Sequence, residues 1–139
     1  MNAPSPETAD ICIIGAGSSG VAVGKALRDK GLAFDCFEKG SNIGGMWRYR
    51  NDNGLSCAYK SLHIDTSRNN LGYPDFPISD DKPDFLAHHE LLEYLEAYAD
   101  HFDVLRSIRF NTEVTAVEKR DDGRWRVVTS DGAARDYRA

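Results

Sequence analysis

The sequence predicts an α/β fold built on a parallel sheet, and three observations carry that prediction. The apolar run Ile11-Cys12-Ile13-Ile14 feeds directly into Gly15-Ala16-Gly17-Ser18-Ser19-Gly20, a G-x-G-x-x-G turn. A helix-compatible stretch, Val21 to Lys30, follows, with Gly31 where a C-terminal helix cap belongs. A second apolar run, Phe34 to Phe37, ends at an acid, Glu38. Strand, glycine turn, helix, strand and acid in that order make a Rossmann-like βαβ unit.

Within that unit each residue type has a physical reason. Gly15 permits the tight turn, Gly17 lets the backbone approach a pyrophosphate, and Gly20 allows the helix to pack on the strand. Ala16, Ser18 and Ser19 complete the turn at a helix N-terminus, whose free N–H groups and dipole favour an anion. Glu38 is placed to accept hydrogen bonds from ribose hydroxyls. An acid there suits FAD or NAD better than a 2′-phosphorylated cofactor, although Lys39 beside it leaves that second option open.

Residues 39 to 87 are rich in Gly, Asn, Asp and Pro, and a structureless passage of that length belongs in a compact domain only if it wraps a ligand. It contains Gly44-Gly45-Met46-Trp47, in which paired glycines allow close passage over a flat ligand and the Trp can cover a ring. Taken alone, that cluster is equally a turn with a buried Trp. Leu91, Leu92, Leu95, Tyr98 and Phe102 recur at helical spacing and predict an amphipathic helix from about His89 to Phe102, its aromatics in the core. Strands are predicted near Ile108 to Phe110, Glu113 to Lys119 and Trp125 to Ser130. The last two form a hairpin through Asp121-Asp122-Gly123, and Asp131-Gly132 makes a further turn. There is no internal repeat and no low-complexity tract.

Composition excludes several classes. The chain of 139 residues has room for about one domain. A formal charge of −5 with scattered Lys and Arg argues against a nucleic-acid surface. No apolar run approaches the roughly 20 residues that span a bilayer. Met1 to Asp10, with Pro4, Pro6, Glu7 and Asp10, lacks the pattern of a secretory signal, so a cytoplasmic location is expected. Cys12 and Cys36 fall in expected buried strands and Cys57 in a loop, with no C-x-x-C pair, which counts against a dithiol reductase. His63, His88, His89 and His101 have no ligand-like spacing, so no metal is assigned.

Across nearly its whole length the chain resembles the flavin-containing monooxygenases. The resemblance runs through the glycine turn, Phe37-Glu38-Lys39, Gly44-Gly45-Met46-Trp47, Tyr59-Lys60-Ser61-Leu62 and Tyr73-Pro74-Asp75-Phe76-Pro77. It continues through the Tyr94-Leu95 helix to His101-Phe102 and Asn111-Thr112-Glu113-Val114. It implies the FAD domain of a two-dinucleotide-binding flavoprotein with a β-hairpin or meander. In that reading Gly15 to Ser19 hold the pyrophosphate, Glu38 the ribose, and Gly45, Met46 and Trp47 the isoalloxazine region, with Trp47 sealing it from water. Val114 presents its backbone to the adenine, and Ile64, Asp65 and Thr66 reach the flavin and nicotinamide.

The implied activity is FAD- and NADPH-dependent monooxygenation of nitrogen or sulfur in soft nucleophiles through a C4a-hydroperoxyflavin. The partners are dioxygen and a small-molecule substrate, and a homo-oligomer is left open. Asp65 departs from the pattern, because most such members carry Asn there and an ionised acid cannot donate. An acid at this place is similar to the Baeyer-Villiger branch, and Arg68 is spaced to pair with it and keep it ionised. No second G-x-G-x-x-G for NADPH and no strand closing the FAD domain precede Ala139. Residues 1–139 are therefore expected to be the N-terminal part of one FAD-binding domain, incomplete at its C-terminus. An NAD-dependent dehydrogenase and a non-catalytic dinucleotide-binding fragment are the other readings.

Overall fold

The first apolar runs are packed on both faces, which sorts the molecule into layers. In the computed structural model, which describes residues 9–139, β1 (Ile11–Ile14), β2 (Phe34–Phe37) and β3 (Ile108–Arg109) form a parallel sheet in the order β1-β2-β3. Ile13 pairs with Cys36, and Cys36 with Ile108. These three pack with Val21, Ile43, Tyr98, Ala99 and Val104. Cys12 and Phe37 sit one residue along, on the opposite face, and pack with Val114, Val127 and Tyr137. Residues 1–8, which hold most of the stretch used to argue against a secretory signal, lie outside the described residues.

The first face is covered by α1 (Ser18–Asp29) and α3 (His88–His101). α1 begins before Val21 because the glycine turn itself supplies its first turn. It ends where expected: Gly31 is left-handed at φ +65°, its N–H donates to the Arg28 carbonyl and that of Leu32 to the Leu27 carbonyl. α3 starts one residue earlier than its apolar stripe suggests, because the Glu90 carboxylate accepts the Ala87 N–H at 3.0 Å. Leu91, Leu95 and Tyr98 are buried as predicted.

The second face is covered by an antiparallel sheet of β4 (Val114–Lys119), β5 (Trp125–Thr129) and β6 (Ala134–Tyr137). The β4–β5 hairpin turns at Asp121-Asp122-Gly123 as predicted, closed by Gly123 N–H to the Arg120 carbonyl at 3.0 Å. β6 is a correction. The sequence reading ends its strands at Ser130 and the Asp131-Gly132 turn, whereas Ala134 to Tyr137 continue from that turn as a third strand paired with β5. Only the last two residues run beside the first strand, with Arg138 N–H on the Asp10 carbonyl at 2.7 Å and Cys12 N–H on the Ala139 carbonyl at 2.8 Å. β6 is fixed by Asp35, whose carboxylate accepts from Tyr137 Oη at 2.7 Å and Arg135 Nη1 at 3.0 Å. Ala-Arg-Asp-Tyr has no apolar alternation of its own, so this strand is specified by its partners.

The passage from 39 to 87 is ordered by anchors. It contains a 3-10 turn at Gly45–Trp47 and the short helix α2 (Arg68–Leu71). The Arg68 guanidinium donates to the carbonyls of Asp80 and Lys82 and lies 3.5 and 3.8 Å from the carboxylates of Asp80 and Asp84. The expected Arg68–Asp65 pair is therefore not formed: Arg68 is turned toward the 80–84 segment. Tyr94 Oη accepts the Tyr73 N–H and donates to the Phe76 carbonyl, both at 2.7 Å. Lys25 joins Asp29 of α1 to Asp75, which holds the Asp75 carboxyl below its usual range.

Burial separates the three cysteines. Cys36 is buried, Cys12 half-buried and Cys57 exposed. Desolvation raises the Cys12 and Cys36 thiols from 9.0 to about 12, with neighbouring Asp35 adding to the first. At mildly alkaline pH a thiol reagent is expected to titrate Cys57 quickly and the other two only after unfolding. Both folded values lie above the unfolded one, so this contribution to stability is intact below about pH 9 and lost as pH rises toward about 12. Tyr137, raised by burial and then by its bond to Asp35, acts in the same direction. A urea-midpoint series with pH checks the sign. Among the described residues no helix is long and apolar enough to cross a membrane, and no group of three or more His, Cys, Asp or Glu could hold a metal ion.

Candidate functional site

The carboxyl ends of β1 and β2 open into a cleft of about 520 Å³, where the strand edges and the first helix meet. Its floor is the glycine turn. Gly15 is at φ +92° and donates its N–H to the Phe37 carbonyl at 2.8 Å, locking the turn to the end of β2. Gly20 lies against that turn so closely that a Cβ would sit 2.0 Å from the Gly15 carbonyl oxygen.

α1 points its start into this cleft. Its N-cap is Gly17, no side chain caps it, and its first turn holds no acid. The N–H groups of such a turn have no intrahelical acceptor, and Gly17, Ser18, Ser19 and Gly20 line the cleft. That is a donor set for a diphosphate.

Glu38 stands beside it, 3% exposed. One carboxylate oxygen accepts the Ala16 N–H at 2.7 Å, and the other accepts the Gly40 N–H at 2.8 Å and the Asn53 amide at 3.4 Å. A carboxylate has about four acceptor sites, so the oxygen bound only to Ala16 retains capacity for a hydroxyl donor. The far wall is Gly44 to Trp47. Gly44 N–H donates to the Ala16 carbonyl at 2.9 Å, and Gly45 presses on Gly17, where a Cβ would come within 3.0 Å of the Gly17 Cα. Ile14, Met46 and Leu55 present apolar side chains to the opening at 56%, 58% and 71% exposure. Donors for phosphate, an acid for ribose and an uncovered apolar wall for a ring fit an FAD-type dinucleotide.

The structure therefore gathers Gly15, Gly17, Ser18, Ser19, Gly20, Glu38, Lys39, Gly45, Met46, Trp47 and Val114 around one cleft, with Ala16 fully buried beneath it. It does not bring Asp65 or Thr66 there: Asp65 is exposed and Thr66 half-buried outside the lining. Ile64 lines a separate cavity of about 300 Å³ with Leu71, Tyr73, Leu91 and Leu95, which shares Ser18 and Trp47 with the cleft. Sequence reasoning missed Ile14, Phe37, Asn53, Leu55 and Glu113 as lining residues. The first two end parallel strands, where ligands of open α/β sheets bind, so their position was a usable signal. Asn53 and Leu55 carried none.

Residues 8–137 match the flavin-binding monooxygenase-like family. Flavin-containing monooxygenase 1 of Mus musculus is 42% identical over 125 residues, which are 86% of this chain and 24% of that protein. S-allyl-L-cysteine S-oxygenase from Allium sativum superposes with a TM-score of 0.82 at 31% identity, over 93% of this chain and 34% of that one. Cyclohexanone monooxygenase, in a structure with bound epsilon-caprolactone, gives 0.77 at 31% identity over 93% and 25%. The chain spans about a quarter of the length of the curated relatives it matches.

Proposed function

We propose, from the premise that this chain belongs to the flavin-binding monooxygenase-like family, that it is the FAD-binding N-terminal part of an FAD- and NADPH-dependent monooxygenase. The substrates in this reading are soft nitrogen or sulfur nucleophiles. The observation that carries it is the uncapped α1 start beside the buried Glu38, in a cleft whose outer wall is apolar. FAD, when bound, supplies the redox and oxygen-transfer chemistry.

The chain's own residues do the rest. The first-turn N–H groups of Ser18 and Ser19 hold the diphosphate, and Glu38 accepts from the ribose while keeping the Ala16 N–H aligned. Val114 borders the adenosine end. Met46 and Trp47 border the ring end, and Trp47 would cover a bound ring there and shield it from water.

A titration of FAD into this chain, followed by flavin fluorescence quenching, tests the reading. Saturable one-to-one quenching that 5′-ADP displaces is expected; no binding of either would overturn it. Asp65 and the likeness to cyclohexanone monooxygenase favour a second reading, Baeyer-Villiger oxidation of ketones. In the protein that joins this unit to its NADPH domain, thioethers and tertiary amines are expected to be oxygenated. Lactones formed from cyclic ketones would favour the second.

A further inference from the structure

We propose that Glu113 decides which ribose the cleft accepts, by occupying the one cation that would otherwise read a 2′-phosphate. The inference rests on the proposed use of this cleft for an adenine dinucleotide.

Backbone pairing fixes the arrangement. Past β2 the chain runs beside the segment that leads into β4: Glu38 N–H donates to the Arg109 carbonyl at 3.0 Å, Thr112 N–H to the Glu38 carbonyl at 2.9 Å and Asn111 N–H to the Gly40 carbonyl at 3.0 Å. Ser130 holds Glu113 from the other side, its Oγ accepting the Glu113 N–H at 3.1 Å and its own N–H donating to the Glu113 carbonyl at 2.8 Å. This ladder sets Lys39 opposite Glu113 at the cleft, with Nζ 3.1 Å from Oε1.

The charges then decide the ligand. Among the described residues lining the cleft, Lys39 is the single cation, against the two acids Glu38 and Glu113. A ribose hydroxyl donates to Glu38 and needs no cation. A 2′-phosphate brings about −1.5 to −2 charges to the same place and needs a positive partner. Lys39 directly follows Glu38 and is the cation of the lining beside it, and its ammonium is paired with Glu113 at 3.1 Å, so a 2′-phosphate has to compete with that carboxylate for it. The cleft therefore takes a nucleotide with a free 2′-hydroxyl and turns away the 2′-phosphorylated kind, which lets one protein use both without exchanging them. Both side chains are nearly half exposed, so the pair contributes little to folding and its loss changes selectivity first.

Calorimetric titration of this chain with 5′-ADP and with adenosine 2′,5′-bisphosphate tests the assignment. The wild-type protein is expected to favour 5′-ADP. Glu113→Gln should tighten the bisphosphate by about five- to tenfold, the size of one charge-assisted contact, while 5′-ADP changes by less than about twofold. Adding Lys39→Met should abolish that gain, and raised salt should shrink it. If Glu113→Gln leaves the ratio of the two affinities unchanged while 5′-ADP still binds, this proposal fails and the cleft assignment stands. If neither nucleotide binds the wild-type chain, both fail together.

Discussion

Gly20→Ala is expected to lower the thermal midpoint by roughly 10 °C and to abolish measurable FAD binding, the largest effect of any single methyl in this chain. The added Cβ would lie 2.0 Å from the Gly15 carbonyl oxygen and 3.0 Å from its carbon, both backbone atoms that cannot rotate aside. Relief would require moving Gly15, whose N–H is held by Phe37, or Ile13, which is in the sheet core. Overpacking of ordinary side chains costs about 1–3 kcal/mol, and a clash with fixed backbone belongs at or above the top of that range. Gly17→Ala separates fold from binding. Its Cβ would meet only the Gly45 Cα at an ordinary 3.7 Å, so stability should fall by less than about 1 kcal/mol, while the methyl is added to a residue that lines the cleft and should weaken nucleotide binding. Comparable binding losses without a stability difference between the two variants would contradict the packing argument.

Glu38→Ala is the second large effect. It leaves the Ala16 and Gly40 N–H groups without an acceptor in a buried place, and a hydrogen bond to a charged group contributes about 1.5–3 kcal/mol. A loss of roughly 3 kcal/mol is expected in urea unfolding at unchanged slope, together with loss of ribose-dependent nucleotide affinity. Glu38→Gln, though isosteric, should recover little, because its amide nitrogen must face one of two N–H donors. A Gln variant as stable as wild type would mean that the two backbone donors find water instead.

How much could be read in advance follows from how local each determinant is. The glycine turn, the Gly31 cap and the acid ending β2 are set by neighbours in sequence, so both their existence and their meeting point were legible. Gly44 to Trp47 was legible as a pair of glycines before a ring, but its seat on Gly17 was not, since that contact joins two loops. The 39–87 passage was opaque for the same reason: Arg68 takes its acceptors from 80–84, and Tyr94 supplies the group that closes 73–76. Arg68 is spaced to pair with Asp65, yet its guanidinium takes the carbonyls of Asp80 and Lys82, which no local pattern announces. β6 is written in the Asp35 carboxylate a hundred residues earlier.

The parallel pairing of Cys36 with Ile108 also bears on the order in which the molecule is assembled. The β4–β5 hairpin closes through one short turn and can begin to pair early, whereas β6 needs Asp35 of β2, and joining β2 to β3 must first bring together the ends of a very long intervening chain. Closing so long a loop is slow far more than it is costly, since each doubling of length adds only about 0.6 kcal/mol. Glu38 and Lys39 lie on one side of that closure, Glu113 and Val114 on the other. The nucleotide cleft is therefore expected to be the last region to acquire its shape during folding, and a ligand that binds it would act late, holding shut a seam that the chain has already found.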